Sequence, residues 1–258
     1  MIRPGSILGL AAAVGLGLQA WGDVADAAEI KVFTSVALTA ALNELAPVFE
    51  KASGDRLTIV YGLVVELRER VLDGESADVI MITRPMMEEL QKRHKFAPDS
   101  LIDVVGTPVA LTARAGAPKP DIETVEAFKR TLLAARSIVY ADPAKGGVSG
   151  VVFARALDRL VIADQMKAKT ILVPAGAQAP EVVAEGEAEL GIALGSEIVP
   201  VAGAQLVGPL PGELASTTVF SAAIGTETKS LAAAKAFIEF LNSARAAPQF
   251  KAKGFDPR

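Results

Sequence analysis

The chain has 258 residues, rich in Leu, Ile, Val and Ala, with 5% aromatic residues, no cysteine and a formal net charge of −4. Without cysteine there is no disulfide, no thiolate metal site, no cysteine nucleophile and no lipidated cysteine of an anchored lipoprotein. The mildly acidic balance, lacking any basic stripe, excludes nucleic acid as a partner, and the length suffices for one large core or two moderate ones.

The first segment carries Arg3, an apolar run from Ile7 to Leu18, and small residues ending Ala25-Asp26-Ala27. This pattern predicts a signal peptide over 1–27, cleaved after Ala27, and release of the mature protein into the periplasm. The run falls short of the roughly 20 residues that a membrane span needs. A strand from Ile30 to Phe33 follows, then a polar turn at Thr34-Ser35. A helix with Leu38, Ala41, Leu42, Leu45 and Phe49 on one face leads to a second strand, Leu57 to Tyr61. Strand, helix, strand is the opening of an open α/β sheet, which takes ligands at the carboxyl ends of its strands.

Further on, the spacing predicts a helix over 64–74, a strand over 78–82, and a helix over 86–94 behind Pro85. Residues 103–115 read as extended, with Gly106 and Pro108 in the middle. A turn-rich loop at 117–121 and a helix over 125–135 come next. A second set of strands is expected at 137–141, 170–173 and 190–194, with helices at 150–161 and 179–187 between them. An extended segment at 217–224 precedes a C-terminal helix over 230–242, whose Leu231, Ala234, Phe237, Ile238 and Leu241 share a face. Two α/β units joined by two extended crossings suit either two lobes or one large sheet.

Four motifs, in order, carry a resemblance that separates these alternatives. They are Val32 to Leu42, Leu72 to Val79, Ala141-Asp142-Pro143 with Ser149-Gly150, and Gly186 to Ile192. Together they resemble the molybdate-binding family of periplasmic solute receptors over the whole mature chain. The resemblance implies the α/β type II periplasmic-binding fold, two α/β lobes closing on a ligand about a two-segment hinge. The lobes are then expected at 28–105 with 218–258, and at 106–217, with crossings near 106–109 and 216–219. It further implies a monomer that needs no cofactor and delivers a small anion, an oxyanion or a carboxylate, to an ABC permease of the inner membrane.

The departures from that family bear on the ligand. Where the oxyanion binders carry a serine ahead of Leu-Thr stands Ala37; their serine cluster at the second helix start is Leu63-Val64-Val65, and their tyrosine before Gly-Ser is Leu194. Each lost hydroxyl removes a donor worth about 1.5–3 kcal/mol to a charged ligand. An organic carboxylate therefore fits better than molybdate.

Candidate ligand residues follow from position. Backbone N–H groups near Ala37, at Val64 and Val65, at Ser149 and at Gly176 are set to face the cleft. Thr34 and Ser35 end the first strand, free either to touch a ligand or to cap the next helix. Arg84, after the third strand, offers a planar fork for a carboxylate, against the commoner fate of a rim ion pair. Tyr61 offers a phenol or an aromatic wall, and Leu194 takes the tyrosine's place. No His or Cys cluster suits a metal, and His94 sits among Lys92, Arg93 and Lys95 at a solvated helix end. The acidic residues Glu181, Glu185, Glu187 and Glu189 read as a solvated face. No catalytic residue is assigned. The alternative function is an isomerase of a small polycarboxylate, resembling the aconitate isomerase of this fold class. It requires a base near an acidic C–H, for which the sequence offers no obvious side chain.

Overall fold

The computed structural model describes Met1 and residues 27–258; the expected signal peptide lies almost wholly outside them. Among the described residues no helix is long and apolar enough to cross a membrane. The strands are β1 (Glu29–Ser35), β2 (Arg56–Gly62), β3 (Val79–Thr83), β4 (Ile102–Arg114), β5 (Ile138–Ala141), β6 (Thr170–Val173), β7 (Leu190–Leu194), β8 (Ala204–Pro209), β9 (Thr217–Ile224) and β10 (Asp256–Pro257). The helices are α1 (Thr39–Ser53), α2 (Val64–Leu72), α3 (Arg84–Lys92), α4 (Val125–Ala134), α5 (Val148–Arg159), α6 (Ala163–Lys167), α7 (Gln178–Glu185), α8 (Gly195–Ile198), α9 (Leu231–Leu241) and α10 (Ala247–Ala252).

The strands hydrogen-bond in the order β2-β1-β3-β9-β4-β7-β5-β6, with β8 and β10 added to β4. β1, β2 and β3 run parallel, as do β5, β6 and β7, because each pair is linked through a helix. β3, β5 and β7 are buried at every residue, which explains why they read as unbroken apolar runs in place of alternating ones.

β4 belongs to both halves. Residues 102–108 pair with β9, and Val105 and Gly106 also pair with β10. From Val109 onward the partners become β7 and β8. The ladder with β9 ends at Pro108, opposite Thr217, where proline has no N–H to give. Val109 N–H then reaches the Ser216 carbonyl at 2.9 Å, so the two crossings lie side by side. Gly106 is held by strands on both sides, and an added Cβ would sit 3.0 Å from Arg258 Nη2 and from Thr217 Cγ2. Its lack of a side chain thus serves packing, and the change of sheet falls two residues later.

The apolar faces account for the helices. α1 buries Ala41, Leu42, Leu45 and Phe49, and Phe49 meets Phe237 of α9 edge to face at 5.0 Å. In the other half Phe153 of α5 packs on Tyr140 of β5 at 4.9 Å. β8, α6, α8, α10 and β10 are absent from the sequence reading: each has six residues or fewer, and none carries the three successive aliphatic or aromatic residues that mark the equally short β5, β6 and β7.

The start of α5 presses on the end of β5. A Cβ at Gly150 would collide with the carbonyl oxygen of Ala141, and one at Gly147 would meet the Ala141 methyl. Gly150→Ala is therefore expected to cost about 1–3 kcal/mol through overpacking, and roughly 2–10 °C of Tm for a chain of this size, measured by calorimetry. An unchanged Tm would show that α5 is free to move off the strand.

Candidate functional site

Both lobes bring helix starts to one place. Ser35, Val36 and Ala37 at the end of β1, with Leu63 and Val64 at the start of α2, come from the first lobe. Gly146, Gly147 and Val148 at the start of α5, Gly176 before α7, and Leu194 and Glu197 at the start of α8 come from the second. They enclose a cavity of about 20 Å³, room for roughly one water molecule. Val64, Gly146 and Val148 also border a wider mouth of about 500 Å³.

The inner cavity is bordered by helix starts, and the N–H groups of Ala37, Leu63 and Leu194 there are already engaged by Ser35, Glu66 and Glu197 side chains. Neither Leu63 nor Gly147, the N-caps of α2 and α5, makes a side-chain cap. The leading N–H groups of two helices of 9 and 12 residues thus face the same space from opposite lobes. Among buried side chains, Ser149 Oγ has no hydrogen-bond partner within the described residues and is 1% exposed.

Glu197 is the residue that sequence reading missed. It is 8% exposed, and one oxygen accepts the Leu194 N–H at 3.0 Å. Burial raises its pKa from an ordinary 4.5 to about 7, against a smaller lowering from that hydrogen bond. The spacing Leu194-x-x-Glu197 carries half a capping box, a sign that a leucine cap conceals because leucine offers no oxygen in return. Gly176 packs against this carboxyl. A Cβ there would collide with Glu197 and stand 2.9 Å from Ser149 Oγ, so only glycine lets the two side chains share the spot.

Other predicted residues fall in different places. Ser35 Oγ accepts the Ala37 N–H at 3.3 Å and caps the short turn Val36–Leu38 while lining the cavity. Thr34 is fully buried beside it, its hydroxyl without a partner among the described residues. Val65 lies in the mouth, where its Cγ2 approaches Gly146 of the opposite lobe so closely that a Cβ on the glycine would be 2.7 Å away. Ala37, Val64 and Leu194 line the inner cavity as expected of their positions. Tyr61 lines neither space: its hydroxyl bonds Asn43 Oδ1 of α1 at 3.1 Å.

Arg84 is in the mouth, but already engaged. Its Nη1 donates to Asp103 at 2.8 Å and its Nε to Glu88 at 3.0 Å. Arg155 shares the mouth with Val148, Val151 and Val152 on one face of α5, is exposed, and forms no ion pair among the described residues. Val65, Met86 and Val219 give the first-lobe side and the hinge an apolar wall, and Thr83, Glu88, Thr217 and Thr218 also line the mouth. No group of three or more His, Cys, Asp or Glu residues suited to a metal occurs among the described residues. His94 stands just past α3 at φ 52, away from both spaces.

Two α/β lobes around a donor-lined cleft define a solute receptor of the type II periplasmic-binding class. Residues 30–256 match the model of the bacterial extracellular solute-binding protein family, and the chain belongs to that family. It is 33% identical to an aconitate isomerase from a Pseudomonas species over 234 residues, 88% of this chain and 87% of that one. The molybdate-binding protein ModA of Azotobacter vinelandii is 28% identical over 97% of this chain and 98% of its own. Among solved structures, the substrate-binding domain of a putative molybdenum ABC transporter from Clostridium difficile superposes with a TM-score of 0.73. It is 20% identical, with 89% of this chain and 99% of that one covered. The periplasmic molybdate-binding protein of A. vinelandii superposes at 0.71 with 22% identity, covering 88% and 98%.

Glu197 ties stability to pH. Between pH 4.5 and about 7 the folded protein holds a proton that the unfolded chain has lost, so stability falls as pH rises through this window and then levels. The displacement is worth roughly 3 kcal/mol. Glu197→Gln, neutral throughout, is expected to remove this component of the slope in urea denaturation at pH 5, 6 and 8. A variant whose pH profile overlays the wild type would mean that Glu197 titrates normally.

Proposed function

We propose that this protein is exported to the periplasm and captures a small organic anion, a di- or tricarboxylate, between its lobes for an ABC permease. The observation that carries the reading is the mismatch between the two parts of the cleft. The inner end offers backbone N–H groups and, behind Gly176, the buried Ser149 hydroxyl, too few donors for a tetrahedral dianion whose every oxygen needs one. The mouth offers valines from both lobes and a cationic fork at Arg155. A carboxylate on the helix starts, a carbon body against the valines and a second carboxylate on Arg155 satisfy both ends.

Thermal-shift measurements at pH 6.5 with tricarballylate, trans-aconitate, molybdate and sulfate test this. A tricarboxylate at about a hundred times its Kd adds about 2.7 kcal/mol, which raises Tm by roughly 5–10 °C, whereas molybdate leaves it unchanged. Stabilisation by molybdate and by no carboxylate would overturn the organic-anion reading. Arg155→Ala is expected to weaken tricarballylate binding about 10- to 100-fold, the loss of one charged hydrogen-bonded contact. Arg84→Ala should change it less than about threefold, because its Nε and Nη1 are already spent on Glu88 and Asp103. The reverse ranking would make Arg84 the ligand's partner.

A second reading is favoured by the 33% identity to an aconitate isomerase: the cleft turns over an unsaturated tricarboxylate by moving a proton and its double bond. Proton NMR of trans-aconitate incubated with the protein separates the two. Catalytic conversion establishes the isomerase, and a static spectrum with a positive thermal shift leaves the receptor.

A further inference from the structure

Within the inner cavity Glu197 is the only ionisable side chain of the lining. An acidic side chain in an anion site demands an account, since an ionised carboxylate would repel the ligand that the surrounding N–H groups attract. Among the described residues no charged side chain bonds or ion-pairs with it. The elements packed most closely against α8 are β4, β7, β8 and the turn Val36–Leu38. Of these only β4 carries titratable residues, Asp103 and Arg114. Asp103 is bound to Arg84 and to Ser221 Oγ, and Arg114 lies beside Gly186 at the outer end of the strand. Gly254, whose carbonyl takes the hydroxyl of Thr107, also abuts Gly195, and the neighbouring Lys253 is paired with Glu44. Arg84, Glu88 and Arg155 line the mouth, outside the inner cavity.

The carboxyl is also placed for contact. Leu194 N–H accounts for one hydrogen bond to it, and Glu197 itself lines the cavity, while the unpartnered Ser149 hydroxyl stands just behind Gly176 of that lining. Gly176 keeps both within reach of one point. A protonated carboxyl donates a hydrogen bond, and Ser149 donates a second, to the same anionic oxygen.

We propose that Glu197 is a ligand-contacting residue that binds the captured anion as a protonated donor, so that capture takes up one proton when the free carboxyl is ionised. The proposal rests on the anion-receptor reading of this cleft. It deepens that reading by adding a discriminating group: a site that must supply a proton with each anion works best in mildly acidic surroundings and loses its hold as pH rises. The raised proton affinity that burial gives Glu197 places the change near neutrality.

Calorimetric titration with tricarballylate, whose carboxyls are ionised well below the alkaline conditions used, tests this. In wild type, heats measured at pH 8 in buffers of different ionisation enthalpy should report uptake of about one proton per ligand, and Kd should rise about 100-fold between pH 6 and pH 9. Glu197→Gln, which keeps a neutral N–H donor, should bind with no proton uptake and with Kd changing less than about threefold over the same range. Wild-type binding that is independent of buffer and pH overturns the proposal and leaves the receptor reading standing. Proton uptake on titration with molybdate in place of tricarballylate retains the proposal and overturns the organic-anion reading. Failure of both anions to bind overturns the two together.

Discussion

Strand β4 cannot satisfy its backbone within one lobe. Its first half completes the sheet of β9 and β10 and its second half the sheet of β7 and β8, so both sheets are held to one continuous backbone. An open edge in either place would leave buried N–H and C=O groups unpaired. The proline at 108 then fixes where the strand changes partners. From this sharing the geometry of the cleft follows, because the carboxyl ends of β1 and β7, and the helices that start there, are aimed at a common gap on either side of the junction.

The junction is also where α8 is anchored. Thr107 Oγ1 accepts the Ser196 N–H at 3.1 Å and donates to the Gly254 carbonyl at 2.9 Å, so one buried hydroxyl on β4 connects the second lobe's short helix with the C-terminal segment of the first. Four residues of helix would not hold a conformation by themselves. Packed between β4, β7 and β8 and tied at Thr107, α8 is rigid enough to carry a buried carboxyl into the cavity. The chemistry of the site therefore hangs on the same strand as the architecture.

What the sequence made legible follows the size of the signal. β6, β7 and β9 were readable to the residue, and α4 and α9 to within one residue at each end, because each carries an apolar run or face; for α1 only the apolar face was legible, and its Leu38 falls in the turn before the helix. The family's order of motifs pointed to Ser149, Gly176, Val64 and Val65, of which Val64 and Gly176 line the inner cavity and Val65 the mouth. Glu197 was not, since Leu194 as an N-cap masked its capping role and the neighbouring glutamates at 181, 185 and 187 invite the reading of a solvated acidic face. All three of those are exposed and none touches the cavity. Tyr61 misled for a different reason. It ends its strand at the right level, but β2 is the outermost strand of the first sheet, where the hydroxyl finds Asn43 in place of the cleft.

The family can change ligand without changing its frame. Helix starts supply N–H groups whatever the side chains are, so the backbone donors at Ala37, Val64 and Val65 need no hydroxyl there. What side chains decide is the shape and proton content of the ligand that those N–H groups hold. The fold is common to this chain, to molybdate-binding proteins and to an aconitate isomerase, which is why neither the fold nor its donors select among them. The selection lies with side chains at the cleft, and Glu197 stands out among them as a buried acid whose one hydrogen bond, from Leu194 N–H, offsets only part of the cost of its burial.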